Sequence, residues 1–175
     1  MTVATVPGEP GASGGRPPLS RAWLFIISIG VCYAAAAAGS FLTSLSVDAW
    51  YQGLAKPPFT PPGWAIGAIW TVLYLLMGIS LFLVLEAGTG RPDARQGISF
   101  FAIQLSLNVI WSLLFFGLRS PLLALVALVL LWGSVAMTLS MFLKVSRPAA
   151  YLLVPYLAWV TIAGCLNAGI VLLNP

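Results

Sequence analysis

The sequence contains no histidine, and charged residues make up only 7% of its 175 residues. Histidine is the commonest general base near neutral pH and the commonest protein ligand of metals and of haem iron. Without it, neither histidine-based catalysis nor haem-iron ligation has a candidate residue, and we expect no metal site. Soluble domains carry about 25% charged residues. A chain this poor in charge lacks the polar surface that a water-soluble protein needs.

Cysteine and acidic residues are also scarce. Cys32 and Cys165 lie in separate apolar runs and form no C-x-x-C pair. We interpret both as small apolar residues in preference to redox or metal-binding thiols. Eight basic residues outnumber four acidic ones, for a net charge of +4. Because the excess is small and spread over loops, it indicates contact with anionic lipid headgroups and sets membrane orientation, and it does not indicate nucleic-acid binding.

The chain is rich in long runs of apolar residues. Hydrophobic residues reach 60%, and the mean hydropathy is +1.00. We predict an all-α integral membrane protein with a single bundle of five transmembrane helices. A Pro/Gly/Ser-rich, disordered tail is expected over residues 1–20 and one membrane domain over residues 21–175. The predicted spans cover about residues 21–45, 62–86, 96–118, 121–144 and 148–173.

The first of these runs also has features of a signal peptide, because alanines follow an apolar stretch. We favour a retained span, since the run continues past the alanines to Leu45. Its small residues, Ala34 to Gly39, allow a neighbouring helix to approach closely.

Aromatic residues and prolines are concentrated between Trp50 and Trp70. Two proline pairs prevent one continuous helix here, and the second pair suits the start of a helix. One interpretation is a stiff cap over the bundle that covers a flat apolar ligand, with Trp50, Tyr51, Phe59 and Trp64 in the cap. The alternative, which composition favours, is an aromatic belt at headgroup depth.

Two predicted helices place polar and aromatic residues on one face. In the third span these are Gln104, Asn108, Trp111 and Phe115, and in the fifth they are Tyr156, Trp159, Ala163 and Asn167. Amides in hydrocarbon must face protein, a cavity or a ligand. The pattern therefore indicates either a cavity lining or interhelical hydrogen bonds that hold the bundle together.

The positions of basic residues predict the orientation. The tail and the second and fourth loops hold most of the lysines and arginines, whereas the first and third loops hold only Lys56 and Arg119. The positive-inside rule then puts the N-terminus in the cytoplasm and the C-terminus on the opposite side.

An ordered set of motifs resembles one family. The motifs are W-Y-x-x-L-x-K-P (50–57), P-P-x-W (61–64), W-x-x-L-Y (70–74), Q-L-x-L-N-x-x-W (104–111), F-F-G (115–117) and V-P-Y-L-A-W-x-x-x-A-x-x-L-N (154–167). Together they resemble the tryptophan-rich sensory protein or translocator protein family (TspO/MBR), over roughly residues 21–174. The resemblance implies a five-helix bundle, usually dimeric. Independently of it, Ala102 and Ser106 in the third span form a small-x-x-x-small pair, which makes helix 3 the expected dimer contact.

The resemblance also implies a ligand pocket beneath the first loop, where family members bind porphyrins and aromatic drug-like molecules. The matching pocket positions are Trp50, Trp64, Trp70, Tyr74, Asn108, Trp111, Tyr156, Trp159 and Ala163. The expected ligand is protoporphyrin IX or a related tetrapyrrole, with no covalent cofactor. Asn108 is expected to bond a polar edge of the ligand and Lys56 a propionate. No tyrosine or basic residue follows Leu166-Asn167, so the animal cholesterol motif is incomplete and cholesterol recognition is not expected.

Three functions fit these features. The first is porphyrin binding for tetrapyrrole sensing, scavenging or transport in a bacterial cell membrane. The second is light-dependent degradation of protoporphyrin IX, which the resemblance connects with Trp64 and Trp159. The third is a small-metabolite carrier, although the five spans give no inverted repeat. No nucleophile–base pair is visible in the sequence, so the enzymatic function ranks below binding.

Overall fold

The structure is a computed structural model that describes residues 20–47 and 50–175, and helices are its only regular elements within those ranges. The predicted tail lies outside the described residues, apart from Ser20. Five segments are long and apolar enough to cross a membrane, which confirms the predicted all-α membrane bundle. The helices are α1 (Arg21–Ser44), α2 (Gly63–Glu86), α3 (Pro92–Ser112, continued by a π-helical turn at Leu113–Gly117), α4 (Pro121–Val145), α5 (Arg147–Leu152) and α6 (Val154–Leu173).

Prolines and small polar residues mark the helix ends. The Ser20 hydroxyl accepts a hydrogen bond from the Trp23 amide at the start of α1, and Pro62 immediately precedes α2. The fifth span is divided at Leu153 into α5 and α6, just before Pro155, because proline supplies no amide to continue the hydrogen-bond ladder.

The third helix begins at Pro92, four residues before the predicted start of its span. Its first turn carries Asp93 and Arg95, and a hydropathy pattern does not register such a polar turn as helix. Lys144 pairs with Asp93 at 3.3 Å, and Arg91 donates to the Lys144 carbonyl oxygen at 2.9 Å. These contacts hold the polar extension against the end of α4.

Small residues bring neighbouring helices together. A Cβ on Gly78 of α2 would lie 2.6 Å from Ile29 Cδ1 of α1, and one on Gly97 of α3 would lie 2.8 Å from the Phe142 ring of α4. A Cβ on Gly39 of α1 would lie 3.3 Å from Ser112 Oγ of α3. Gly39, at the end of the small-residue part of the first run, therefore serves helix packing, as the composition predicts.

The two ends of the bundle differ in charge. Arg21 forms an ion pair with Glu86 at the end where α1 begins and α2 ends, and the Asp93–Lys144 pair lies beside it in the same set of loops. At the other end, Arg119 donates to the buried Ser46 hydroxyl. This second end is the one that the aromatic first loop covers.

Candidate functional site

A cavity of about 620 Å³ lies in this second half of the bundle. Its walls come from the last turns of α1, the first turns of α2, the end of α3 and the middle of α6, with Tyr51 of the first loop above them. None of the described residues that line it carries a charge. Ligand sites of about 300–1,000 Å³ are typical of small-molecule pockets, so the size suits a substantial organic molecule.

Aromatic rings form the inner walls. Trp70 and Tyr74 of α2 lie one turn apart with ring centroids 5.7 Å from each other, and Trp111 of α3 lies 5.5 Å from Phe115. Trp159 of α6 completes the set. Such rings favour offset or edge contacts with other flat π-systems, so the walls suit a planar apolar ligand.

Asn108 is the polar centre of the cavity. Its Oδ1 accepts from the Tyr74 hydroxyl at 2.9 Å, and its Nδ2 donates to the Tyr156 hydroxyl at 3.0 Å. One side chain thus joins α2, α3 and α6. The amide still has a second N–H and further acceptor capacity, so Asn108 both holds the bundle together and can bond a ligand; the two interpretations of the sequence pattern coexist at this residue.

A second amide fixes Trp111. Its Nε1 donates to Asn167 Oδ1 at 3.1 Å, and Asn167 Nδ2 donates to the Pro121 carbonyl oxygen at 2.8 Å. By contrast, Trp159 is 92% buried, and its Nε1 has no hydrogen-bond partner in the described part of the chain. A buried donor without a partner costs free energy. Trp159 lines the cavity through the rest of its ring, because its Nε1 is itself buried and is not accessible from the cavity.

The π-helical turn at the end of α3 directs two adjacent rings inward. The Leu118 amide donates to the Leu113 carbonyl oxygen, five residues back, at 2.8 Å. Phe115 and Phe116 both line the cavity and are both buried. A regular α-helix would separate them by about 100°. The wider turn explains why the α-helical pattern finds Phe115 and misses Phe116.

The first loop is fixed over the cavity by contacts with the end of α6. Asn174 accepts from the Ala55 amide at 3.0 Å and donates to the Ala55 carbonyl oxygen at 2.9 Å. Pro57 packs directly on Gly169, where a Cβ would come within 2.4 Å of the proline ring. These contacts place Tyr51 above the cavity, against Phe115 and Phe116. Burial raises the pKa of the Tyr51 hydroxyl, which keeps it protonated as a neutral donor.

Lys56 does not line the cavity. Its ammonium donates to the carbonyl oxygens of Gln52 and Leu54, both at 3.2 Å, and lies 4.7 Å from the centre of the Tyr51 ring. In this structure Lys56 therefore stabilises the loop. Its predicted pairing with a propionate stays a prediction, and one of the three ammonium N–H groups remains available for it.

The structure brings together six of the nine pocket positions that the sequence suggests. The six that line the cavity are Trp70, Tyr74, Asn108, Trp111, Trp159 and Ala163. Tyr156 is fully buried behind them and acts through Asn108. Trp50 packs edge-on against Phe115 with ring centroids 5.6 Å apart, one layer outside the cavity.

Trp64 does not reach the cavity and is 79% exposed. The sequence analysis placed it in the cap, whereas the structure places it in the first turn of α2. Trp70 is six positions further along the helix, so the Trp64 side chain points about 120° away from that wall. Phe59 is likewise 60% exposed. Each interpretation of the aromatic stretch thus applies to part of it. Trp50 and Tyr51 face inward, as the cap interpretation predicts, and Phe59 and Trp64 face outward, as the belt interpretation predicts.

Gln104 behaves differently from the other residues of its predicted face. It is fully buried, it does not line the cavity, and neither polar atom of its amide has a partner among the described residues. It therefore fits neither of the two interpretations that the sequence offered.

Sequence reasoning missed the wall that α1 contributes. Tyr33, Ser40 and Thr43 of this helix line the cavity, although no aromatic stripe identifies them. The available signal was the presence of hydroxyl groups near the end of an apolar run, and interhelical packing explains such groups equally well. Tyr33 also donates to the Thr71 carbonyl oxygen of α2 at 3.1 Å.

Comparison with known proteins identifies the family of the chain. The profile of the TspO/MBR family matches residues 28–173. The tryptophan-rich protein TspO of Chlorobaculum tepidum is 45% identical over 149 residues, covering 85% of this chain and 94% of the relative. The tryptophan-rich sensory protein of Cereibacter sphaeroides is 36% identical, covering 86% and 91%. The translocator protein of Bos taurus is 44% identical, covering 67% and 70%. The chain is therefore an integral membrane protein that belongs to the TspO/MBR family.

Proposed function

We propose that this protein binds protoporphyrin IX or a related tetrapyrrole in the aromatic cavity and acts in the sensing, scavenging or transport of such molecules. The observation that carries the proposal is an uncharged cavity of about 620 Å³ whose walls present three indoles, from Trp70, Trp111 and Trp159. A tetrapyrrole macrocycle is a broad apolar plane, and burying apolar area is favourable by about 25 cal/mol per Å².

The polar groups of the cavity suit the edge of such a plane. Asn108 offers an amide N–H, and Ser40 and Thr43 offer hydroxyl groups from α1. A few placed polar groups in an apolar pocket fix the orientation of a ligand. The carboxylates of the ligand would lie towards the loop end, where Lys56 and headgroups are found. The aromatic drug-like ligands that the resemblance implies fit the same walls.

The test is a titration of the purified protein with protoporphyrin IX in darkness, followed by tryptophan fluorescence. We expect saturable quenching that an Ala163→Leu substitution weakens, because Ala163 lines the cavity and a larger side chain occupies its volume. Cys165→Leu is the matched control, since Cys165 lies two residues further along the same helix and is exposed outside the cavity. Equal affinities in the two variants, or no saturation at all, would refute binding at this site.

Light-dependent degradation of the porphyrin is the second candidate, because Trp159 lies in the cavity wall where an excited macrocycle would contact it. Trp64, the other tryptophan expected to take part, is exposed outside the cavity. Illumination of the saturated complex separates the two functions. Loss of porphyrin absorbance that disappears in Trp159→Phe would support degradation, and stable absorbance would support binding alone.

We also propose that the protein lies in a bacterial cell membrane with its N-terminus in the cytoplasm. Support comes from the grouping of Arg91, Arg95, Lys144 and Arg147 at the end of the bundle opposite the aromatic loop, since positive residues favour the cytoplasmic side. A reporter that is active only outside the cytoplasm, fused after Pro175, should be active; a cytoplasmic C-terminus would contradict the orientation.

A further inference from the structure

The cavity reaches the outer surface of the bundle between α1 and α2. Several of its lining residues are exposed on the facing sides of these two helices, and all of them have small side chains. They are Ala37, Ser40 and Ser44 of α1 and Gly63, Gly67 and Thr71 of α2. Cβ atoms built on Gly63 and Gly67 would meet no atom within 4 Å, so the gap is open at this point.

The two helices touch closely on only one side of this gap. Gly78 packs against the backbone and side chain of Ile29, and the Tyr33 hydroxyl bonds the Thr71 carbonyl oxygen. Beyond Thr71, towards Gly63, a Cβ on either Gly67 or Gly63 would meet no atom of α1 within 4 Å. This part spans eight residues, or about 12 Å of helix, against a hydrocarbon thickness of about 30 Å. The gap therefore faces the acyl chains of one leaflet.

The water-facing end is closed more firmly. Asn174 holds the first loop through two hydrogen bonds to Ala55, and Pro57 is buried against Gly169. Tyr51 fills the space between this loop and the two phenylalanines of the π-helical turn. Opening this end requires breaking those contacts, whereas the side gap is lined by small side chains.

Trp64 lies at the rim of the gap. Gly67 and Thr71 are three and seven residues after Trp64, so all three lie on adjoining strips of the helix surface. The exposed indole therefore stands on the lipid side of the opening, where a flat apolar molecule dissolved in the bilayer would meet it first.

From these observations we infer that the ligand enters and leaves sideways, from the lipid, through the gap between α1 and α2. The inference rests on the proposed function, because it concerns the route to the same cavity. It assigns a role to Gly67, Ala37 and Trp64 that the pocket itself does not require. It also specifies the ligand further: a molecule that partitions into the bilayer before it binds.

The test compares binding rates and equilibrium affinity in proteoliposomes, with protoporphyrin IX added in darkness and tryptophan quenching followed by stopped flow. Gly67→Leu and Ala37→Leu narrow the gap from opposite helices, so a folding defect in one does not remove the test. Gly133→Leu is the control, because Gly133 lies on α4, away from the cavity, and its added Cβ also meets no atom. Asn174→Ala loosens the loop and probes the alternative route.

We expect both narrowing variants to slow association and dissociation together, by about tenfold for about 1.4 kcal/mol of added barrier, because a narrower route obstructs passage in both directions, whereas lost cavity volume alone would speed dissociation. The control and Asn174→Ala should retain the original rates. The inference would be overturned by unchanged rates in the two narrowing variants, by an affinity loss caused only by faster dissociation, or by faster ligand association and dissociation in Asn174→Ala. In each of these cases the proposed function would still stand. Absence of saturable quenching in the unmodified protein would refute both.

Discussion

At the scale of single residues, Asn108 couples three helices through one amide. Both polar atoms of its amide bond tyrosine hydroxyls, and one of these tyrosines, Tyr156, is fully buried. Buried hydroxyls are expensive to leave without partners, whereas each intact hydrogen bond contributes only modestly. The side chain therefore matters more for what its removal exposes than for the bonds themselves.

Replacing Asn108 by leucine should lower the free energy of unfolding by about 1–3 kcal/mol, because the substitution leaves the two tyrosine hydroxyls unpaired. Thermal unfolding in detergent measures the effect. Ser99→Leu is the matched control on the same helix, since Ser99 is exposed and bonds only the carbonyl oxygen of Arg95. If the two variants lose equal stability, the network has no special role.

Trp159 should behave in the opposite way. Phenylalanine at this position keeps an aromatic ring in the wall and removes only an N–H that has no internal partner. We expect little loss of stability, because the N–H has no internal bond to lose, and a weaker affinity for protoporphyrin IX, because the smaller ring leaves less apolar surface in the cavity wall.

The control for this substitution is Trp132→Phe, which removes an exposed indole N–H bonded to the Thr161 hydroxyl. Fluorescence titration measures the affinity for protoporphyrin IX, and thermal unfolding measures the stability. A stability loss without an affinity loss would show that Trp159 is structural only.

At the scale of elements, hydropathy determined what could be predicted. Five apolar runs located five spans, because crossing a membrane requires about 20 apolar residues. The polar first turn of α3, at Pro92, was not predicted, since hydropathy carries no information on helices that extend into the headgroup region. The π-helical turn at Leu113–Gly117 was not predicted either, because an α-helical period of 3.6 assumes regular hydrogen bonds throughout.

Part of the site was also predictable from the sequence. Stripes on α3 and α6 located Asn108, Trp111 and Trp159, because polar and aromatic residues on one helical face must turn inward. Motif resemblance added Trp64, but the start of α2 at Gly63 puts that indole on the outer surface. Ser40 gave no distinct signal, because its role depends on how far α1 diverges from α2, and that distance is a property of the packed bundle.

Asn174 connects two elements of the structure, because it hydrogen-bonds the first loop to the end of α6. In Asn174→Ala we expect the Ala55 amide to exchange with solvent about fivefold faster, since its hydrogen bond to Asn174 is lost and one such bond is worth about 1 kcal/mol. Hydrogen exchange followed by mass spectrometry measures it. Leu172→Ala is the control, because Leu172 is 80% exposed; equal exchange in both variants would show that Pro57 alone fixes the loop.

At the scale of the whole molecule, the bundle places its cavity in one half and its ion pairs at the opposite end. Helices α1 and α3 leave large apolar and small residues on their outer faces. In hydrocarbon such faces gain nothing from the hydrophobic effect, so association between copies must come from close packing of small residues. The pair Ala102 and Ser106, both exposed on α3, provides a surface of this kind.

We therefore propose a homodimer through α3 and predict that Ala102→Trp reduces it, because the indole keeps the two backbones apart. Energy transfer between differently labelled copies in liposomes, followed as lipid is added, measures the dimer fraction. Val129→Trp on α4 is the matched control, since Val129 is 65% exposed and lies on a different helix.

The Ser106 hydroxyl is bonded within its own helix, so the contact depends on shape and not on an interhelical hydrogen bond. Ala102→Trp should accordingly weaken the dimer more than Ser106→Ala does, and the reverse order would assign the contact to a different face.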